Sequence, residues 1–162
     1  MSVNLTSDCR FIRINVFITL LTVVLVRVGY SGADSANLVR NGSFEEATYN
    51  PWQPTAWTFG IEGSAHGALS CANDGFHGPS AARLTNQSPR SPGVYIRLFQ
   101  KIAVKRNTDY VISMYVRCKS VGYSWFGGGP KWLRRERLPQ DTAGKWVRVS
   151  APCNSGDSAT WE

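Results

Sequence analysis

The hydrophobic positions of this chain follow two patterns. Near the N-terminus, Val16 to Val26 is almost continuously apolar, preceded by Arg10 and Arg13 and closed by Arg27. From Asn37 onward the apolar residues instead come in short runs, set off by clusters of Gly, Pro, Asn, Asp and Ser. No stretch there keeps a helical period beyond about two turns, while period-two alternation recurs. The runs predict strands over 37–40 with 43–45, 57–61, 68–72, 80–85, 94–104, 110–119, 131–137 and 146–151, with another starting at 159–162. Segments 88–92 and 127–130 read as loops.

Alternation assigns faces within two of these strands. Over 110–119, Tyr110, Ile112, Met114 and Val116 share one face, and Val111, Ser113, Tyr115 and Arg117 the other. Successive side chains point to opposite sides of a strand, so the first set belongs to a core and the second to a polar-aromatic surface. Over 94–102, Val94, Ile96, Leu98, Gln100 and Ile102 oppose Tyr95, Arg97, Phe99 and Lys101. Asn107-Thr108-Asp109 lies between the two runs as a turn. It predicts a hairpin that brings Tyr95, Arg97, Tyr115 and Arg117 onto one sheet face.

The continuous run reads differently. A basic start, an apolar stretch and a small-residue exit at Ser31–Ala33 describe a secretory signal peptide over residues 1–33. The stretch is shorter than the roughly 20 residues a membrane span needs, and no Cys follows it to carry a lipid. The expectation is a secreted, extracellular, periplasmic or cell-surface protein with no stable membrane insertion after cleavage. Its single domain then runs from about residue 37 to 162, the most that 162 residues accommodate. Loss of three arginines and one acid with residues 1–33 takes the formal charge from +7 to +5. That charge draws anionic surfaces without choosing among them. Cys71, Cys118 and Cys153 remain, an odd number that permits one bridge at most. A Cys118–Cys153 pair is expected, since both lie in or beside strands. Asn41-Gly42-Ser43 and Asn86-Gln87-Ser88 are glycosylation acceptors in a eukaryotic secretory route.

Read in order, several short motifs resemble the CenC-type carbohydrate-binding modules. They are Asn37-Leu38, Gly42-Ser43-Phe44-Glu45, Trp57, Gly78-Pro79-Ser80, Gln100-Lys101-Ile102-Ala103-Val104, Asn107-Thr108-Asp109-Tyr110 and Trp146. The resemblance implies an all-β jelly-roll β-sandwich of the galactose-binding-domain-like group, often joined to extracellular glycoside hydrolases. It also implies closing strands beyond Trp161-Glu162, so the chain is expected to lack its last strand or strands as a piece of a larger protein. Modules of this kind hold a structural calcium. The resemblance carries that role to Glu45, with Asp74 and carbonyls of the 74–80 loop beside it. Six to eight oxygens are required, and Glu45 and Glu46 read equally as solvated strand-end acids.

Sugar binding needs flat aromatic faces beside polar groups, which Tyr95, Arg97, Tyr115, Arg117 and Trp125 supply. Tyr123, Phe126 and Trp132 flank the same glycine-rich segment, whereas Trp57 and Trp146 match core positions of the family. The run Lys131 to Arg137 could meet an acidic polysaccharide or phosphate, although such runs are often solvated loops, and export disfavours nucleic acid. His66 and His77 stand apart from any nucleophile motif, and no phosphate loop, zinc motif or serine-hydrolase elbow occurs. Nothing in the sequence pairs Glu45 with Glu62 or Glu136 as glycosidase acids. The expectation is a non-catalytic polysaccharide- or glycan-binding module. The competing expectation is an extracellular adhesion domain that uses the same sandwich for protein contacts.

Overall fold

A computed structural model describes residues 37–129 and 135–162, and the backbone of 14–19 and 134. Among the described residues every regular element is a strand, and all pairing is antiparallel. The strands are β1 (Ile14–Thr19), β2 (Ala47–Tyr49), β3 (Trp52–Pro54), β4 (Thr58–Glu62), β5 (Gly67–Ala72), β6 (Ala81–Asn86) and β7 (Tyr95–Phe99). They continue with β8 (Ile102–Ala103), β9 (Asp109–Lys119), β10 (Trp125–Gly128), β11 (Arg134–Arg137), β12 (Val147–Asn154) and β13 (Thr160–Trp161). Five of them form one sheet in the order β12-β9-β1-β6-β5, and the rest pair as β2–β3, β4–β7, β8–β13 and β10–β11.

The period-two pattern of β9 organises the core. Tyr110, Ile112, Met114 and Val116 are all buried on one side of the strand, joined across the sheet by Leu84 of β6 and Ala151 of β12. From the smaller pairs, Phe126, Trp161 and the partly buried Ile96 and Leu98 pack onto the same cluster. Tyr110 is tolerated there because its hydroxyl accepts the Lys105 N–H at 2.7 Å, which satisfies the polar end. Its ring meets Trp161 edge to face at 5.1 Å. Trp57 is buried as the sequence suggested, 5.2 Å from Phe44, and its indole N–H donates to the Asn41 carbonyl.

Several expectations change. The expected hairpin between 94–104 and 110–119 does not form: β7 pairs with β4, and β9 lies between β12 and β1. The expected first strand over 37–40 and 43–45 is also absent. Asn41 and Phe44 hold φ of 48° and 61°, outside the β region, so the segment turns instead of extending. The Asn41 side chain fixes that turn by donating to the carbonyls of Glu46 and Thr55 and accepting the Glu46 N–H. Trp125–Gly128 form β10, which takes in Gly127 and Gly128 of the loop expected over 127–130. Lys131 and Trp132 lie outside the described residues.

The least expected element is β1. Ile14–Thr19 belongs to the segment read as a signal peptide, yet it runs between β6 and β9, with Val16 opposite Leu84 and Cys118. A chain cleaved after Ala33 would lose this strand, leaving the facing edges of β6 and β9 without their ladders. The rest of that segment, with the Ser31–Ala33 exit, lies outside the described residues.

The Cys118–Cys153 pair is also overturned. Cys153 stands opposite Tyr110, eight positions along β9 from Cys118, which is about 27 Å at ~3.4 Å per residue. A bridge needs Cα atoms within about 7 Å. Cys71, Cys118 and Cys153 are all thiols.

Candidate functional site: the outer face of the five-stranded sheet

The side of β9 turned away from the core carries Tyr115 and Arg117. Residues directly opposite in an antiparallel ladder share a face, so the register defines this surface. Arg148 of β12 stands opposite Tyr115. Arg117 is aligned through β1 with Arg83 of β6, and Arg83 with Ser70 of β5. Ser113 and Ser150 form the next cross-strand pair, and the Arg148 guanidinium reaches the Ser113 hydroxyl at 3.4 Å. Tyr115, Arg117 and Arg148 therefore occupy neighbouring positions on one surface, with Arg83 on the same face two strands away across β1, an array that only strand order creates.

The loop between β5 and β6 folds against this surface. Phe76 stacks on Tyr115 with ring centroids 3.7 Å apart and planes 15° apart. His77 meets both rings edge on, at 4.4 Å from Phe76 and 5.5 Å from Tyr115. Asp74 forms an ion pair with Arg117, whose guanidinium also lies 4.6 Å from the Trp146 ring. Trp146 is thus half-buried beside a cation and stands outside the core cluster, contrary to the core position expected for it. Phe76, His77, Trp146, Arg148 and Arg83 join a site for which the sequence indicated only Tyr115 and Arg117. The DGFHGPS segment was visible as a polar, aromatic loop, but nothing local tells which sheet face a loop will cover.

Glu45 holds the far end of that loop. Its Oε1 accepts the Ser80 N–H at 3.2 Å and its Oε2 accepts the Ser80 hydroxyl at 2.9 Å. A Cβ at Gly78 would strike Oε1 of Glu45, and one at Gly75 would strike the carbonyls of Gly78 and Ser80. Both glycines therefore permit a close approach that a side chain would block. As a calcium site the arrangement fits in part. Glu45 does meet the 74–80 loop, but its carboxylate oxygens accept the Ser80 N–H and hydroxyl, while the Asp74 carboxylate is turned to Arg117. Among the described residues no cluster of three or more His, Cys, Asp or Glu side chains gathers to hold a metal.

The remaining expected site residues lie elsewhere. Arg97 bridges Glu62 at 3.0 Å and Glu162 at 2.6 Å and rests over Phe99, with the exposed Tyr95 at the same end of β7. Their neighbours Ile96 and Leu98 face the core that Met114 and Val116 face from the other sheet. Tyr95 and Arg97 thus look outward on the opposite side from Tyr115 and Arg117. Trp125 also belongs to that opposite side, since it alternates with the buried Phe126. Glu45, Glu62 and Glu136 occupy separate environments: the Ser80 loop, the Arg97 bridge and the β11 strand. An open groove of about 340 Å3 near Ile61, His66 and Thr85 lies at the ends of β4 to β6.

Compared with models of known families, with curated proteins and with solved structures, the chain matches none.

Proposed function

We propose that this chain is a non-catalytic glycan-binding domain, a jelly-roll sandwich of the galactose-binding-like kind, that holds a polysaccharide on the outer face of its five-stranded sheet. The observation that carries this reading is the array around Tyr115. The rings of Tyr115, Phe76 and His77 pack together, the Arg117 guanidinium beside them lies on the Trp146 ring, and the register puts Arg148 opposite Tyr115. Phe76 is 37% exposed while its other side rests on Tyr115, so it presents a supported apolar plate to solvent. A pyranose ring packs its C–H surface on such a plate, and arginine N–H donors beside it bond the hydroxyls. The order of motifs shared with the CenC-type modules supports the same reading.

A calcium ion at Glu45 belongs to this proposal as a structural element. The Glu45 carboxylate and the carbonyls of the 74–80 loop would be its donors, and the ion would fix the loop that carries Phe76. Calorimetric titration of the full chain with calcium chloride, with Glu45→Gln as control, tests that part separately.

Affinity electrophoresis through gels cast with soluble β-glucan, xylan or galactan tests the main reading. At least one polysaccharide is expected to retard the full chain, and Phe76→Ala and Trp146→Ala are expected to abolish the retardation while melting as cooperatively as the parent. A folded chain that no polysaccharide retards would sink the proposal.

A further inference from the structure

We infer that the outer face of the β10–β11 hairpin is a second, separate binding site, and that its ligand is an acidic glycan bearing carboxylate or sulfate groups. The hairpin register places Trp125 opposite Arg137 and Gly127 opposite Arg135, so these residues share one face. Phe126, on the other face, enters the core, and a Cβ at Gly128 would come within 3.0 Å of Ile112 Cδ1. The hairpin therefore lies close on the core and turns Trp125, Arg135 and Arg137 to solvent. Tyr123, two residues before Trp125, extends the same row.

Charge and aromatic surface coincide here. Tyr123 is 54% exposed and Trp125 is 44% exposed. The Arg90 guanidinium carbon sits 3.4 Å from the Tyr123 ring centroid, and that of Arg137 sits 4.6 Å from it. Arg135 lies 5.5 Å from the Trp125 ring. Among the described residues the ion pairs involve Arg97 and Arg117 only, so Arg90, Arg135 and Arg137 have no carboxylate across from them. Packing on a ring fixes the plane of a guanidinium while leaving its N–H donors at the edge, where they match a carboxylate or sulfate fork. Residues two apart on a strand are separated by about 7 Å, so the rings and the guanidinium groups form two short parallel rows. At Gly127 the row of side chains is interrupted beside Trp125, which leaves the indole accessible to a sugar ring. Two guanidinium groups already cover the Tyr123 ring, so stacked nucleobases would find one open plate where a base ladder needs a series. This favours an acidic sugar chain over a polynucleotide.

The inference does not rest on the sheet-face proposal, and its test separates the two. The full chain is run through gels containing polygalacturonate, dextran sulfate or neutral dextran, and titrated with a single-stranded oligonucleotide. Retardation by an acidic polymer but not by neutral dextran is expected, weakening as sodium chloride is raised. Each of these arginines offers the anion a charge-assisted contact of the stronger kind. Arg135→Ala with Arg137→Ala should therefore weaken binding by at least about tenfold, and Trp125→Ala should weaken it less. Arg135→Lys with Arg137→Lys keeps the charge but removes the fork, and should fall between the parent and the alanine pair. It also serves as the working variant if the alanine pair fails to fold. Phe76→Ala should leave this binding intact. Retention of acidic polymer at the parent level by the alanine pair would overturn the inference. So would equal retention in neutral dextran, absence of retention by the folded chain, or tighter binding of the oligonucleotide than of either acidic polymer.

Discussion

Two surfaces of this protein use the same residue types and differ in what surrounds them. On the outer face of the five-stranded sheet, Arg117 is paired with Asp74 and the Tyr115 ring is covered by Phe76. On the hairpin face, Arg90, Arg135 and Arg137 approach exposed rings with no carboxylate opposite among the described residues. The first is partly neutralised and pre-stacked, which suits contacts to uncharged hydroxyls. The second leaves its positive charge directed outward, where attraction for an anion is screened only by salt. Arginine and tyrosine content alone would rank the two surfaces as equivalent. One aspartate on a neighbouring loop makes the difference.

The comparison can be broken first at the sheet. Val16→Pro in the full chain removes a ladder donor from a central strand and should cost about 3 kcal/mol. Urea unfolding should show the loss, and the sheet-face array should fail with it. An unchanged midpoint would mean that β1 contributes nothing to the stability of the sheet. Gly75→Ala acts on the loop alone, because the new Cβ would meet the Gly78 and Ser80 carbonyls. A destabilisation of roughly 1–3 kcal/mol is expected, with binding lost at the sheet face and kept at the hairpin.

A pH series probes the buried side of the same strand. Burial, with a smaller contribution from the Asp141 charge, pushes the Cys118 thiol up to about 11 from its ordinary 9.0. Between these values the folded chain holds a proton that the unfolded chain has released, so this group's stabilisation is full below 9.0 and is lost as pH rises toward about 11. The difference in urea midpoint between the parent and Cys118→Ala should therefore shrink across that window. At pH 8, thiol-specific alkylation should label Cys71 and Cys153, which are half-buried, well before Cys118.

The smallest effect is expected from Asp74→Asn. A half-exposed ion pair contributes no more than about 1 kcal/mol, so melting should barely move. Removing the carboxylate should nonetheless make the sheet face resemble the hairpin, with a new salt-dependent affinity for dextran sulfate. If Asp74→Asn leaves that affinity unchanged, neutralisation by Asp74 is not what separates the two surfaces.

Much of the β structure was legible along the chain. Segments 68–72, 80–85 and 110–119 lie within or beside observed strands, and the core face of β9 follows the apolar positions one for one. Alternation succeeds there because burying one side of a pleated strand leaves a period-two signature in the residues themselves. The opening segment NLVRNGSFEE failed for a reason just as local. Its short apolar pieces, Leu38-Val39 and Phe44, read as strand, but the left-handed backbone of Asn41 and Phe44 is set by the Asn41 amide bonding carbonyls of residues 46 and 55. No windowed pattern reports such a bond. The site was half legible. Tyr115 and Arg117 were assigned correctly to an outward face, whereas grouping them with Tyr95 and Arg97 assumed that sequential strands pair.

By itself, then, the sequence determined that this is an all-strand chain, which side of β9 enters the core, and that arginine and aromatic residues would reach the surface together. Those properties follow from side-chain chemistry repeated at short range, where each residue's neighbours are its neighbours in the chain. Tertiary structure decided which strands became partners and which loop covered which face. It placed β1 between β6 and β9, separated Tyr95 from Tyr115 by the width of the core, and set Asp74 against Arg117 while leaving Arg135 and Arg137 without a carboxylate across from them among the described residues. Ladder hydrogen bonds are the same for any two strands, so partner choice depends on long-range packing that no local pattern encodes.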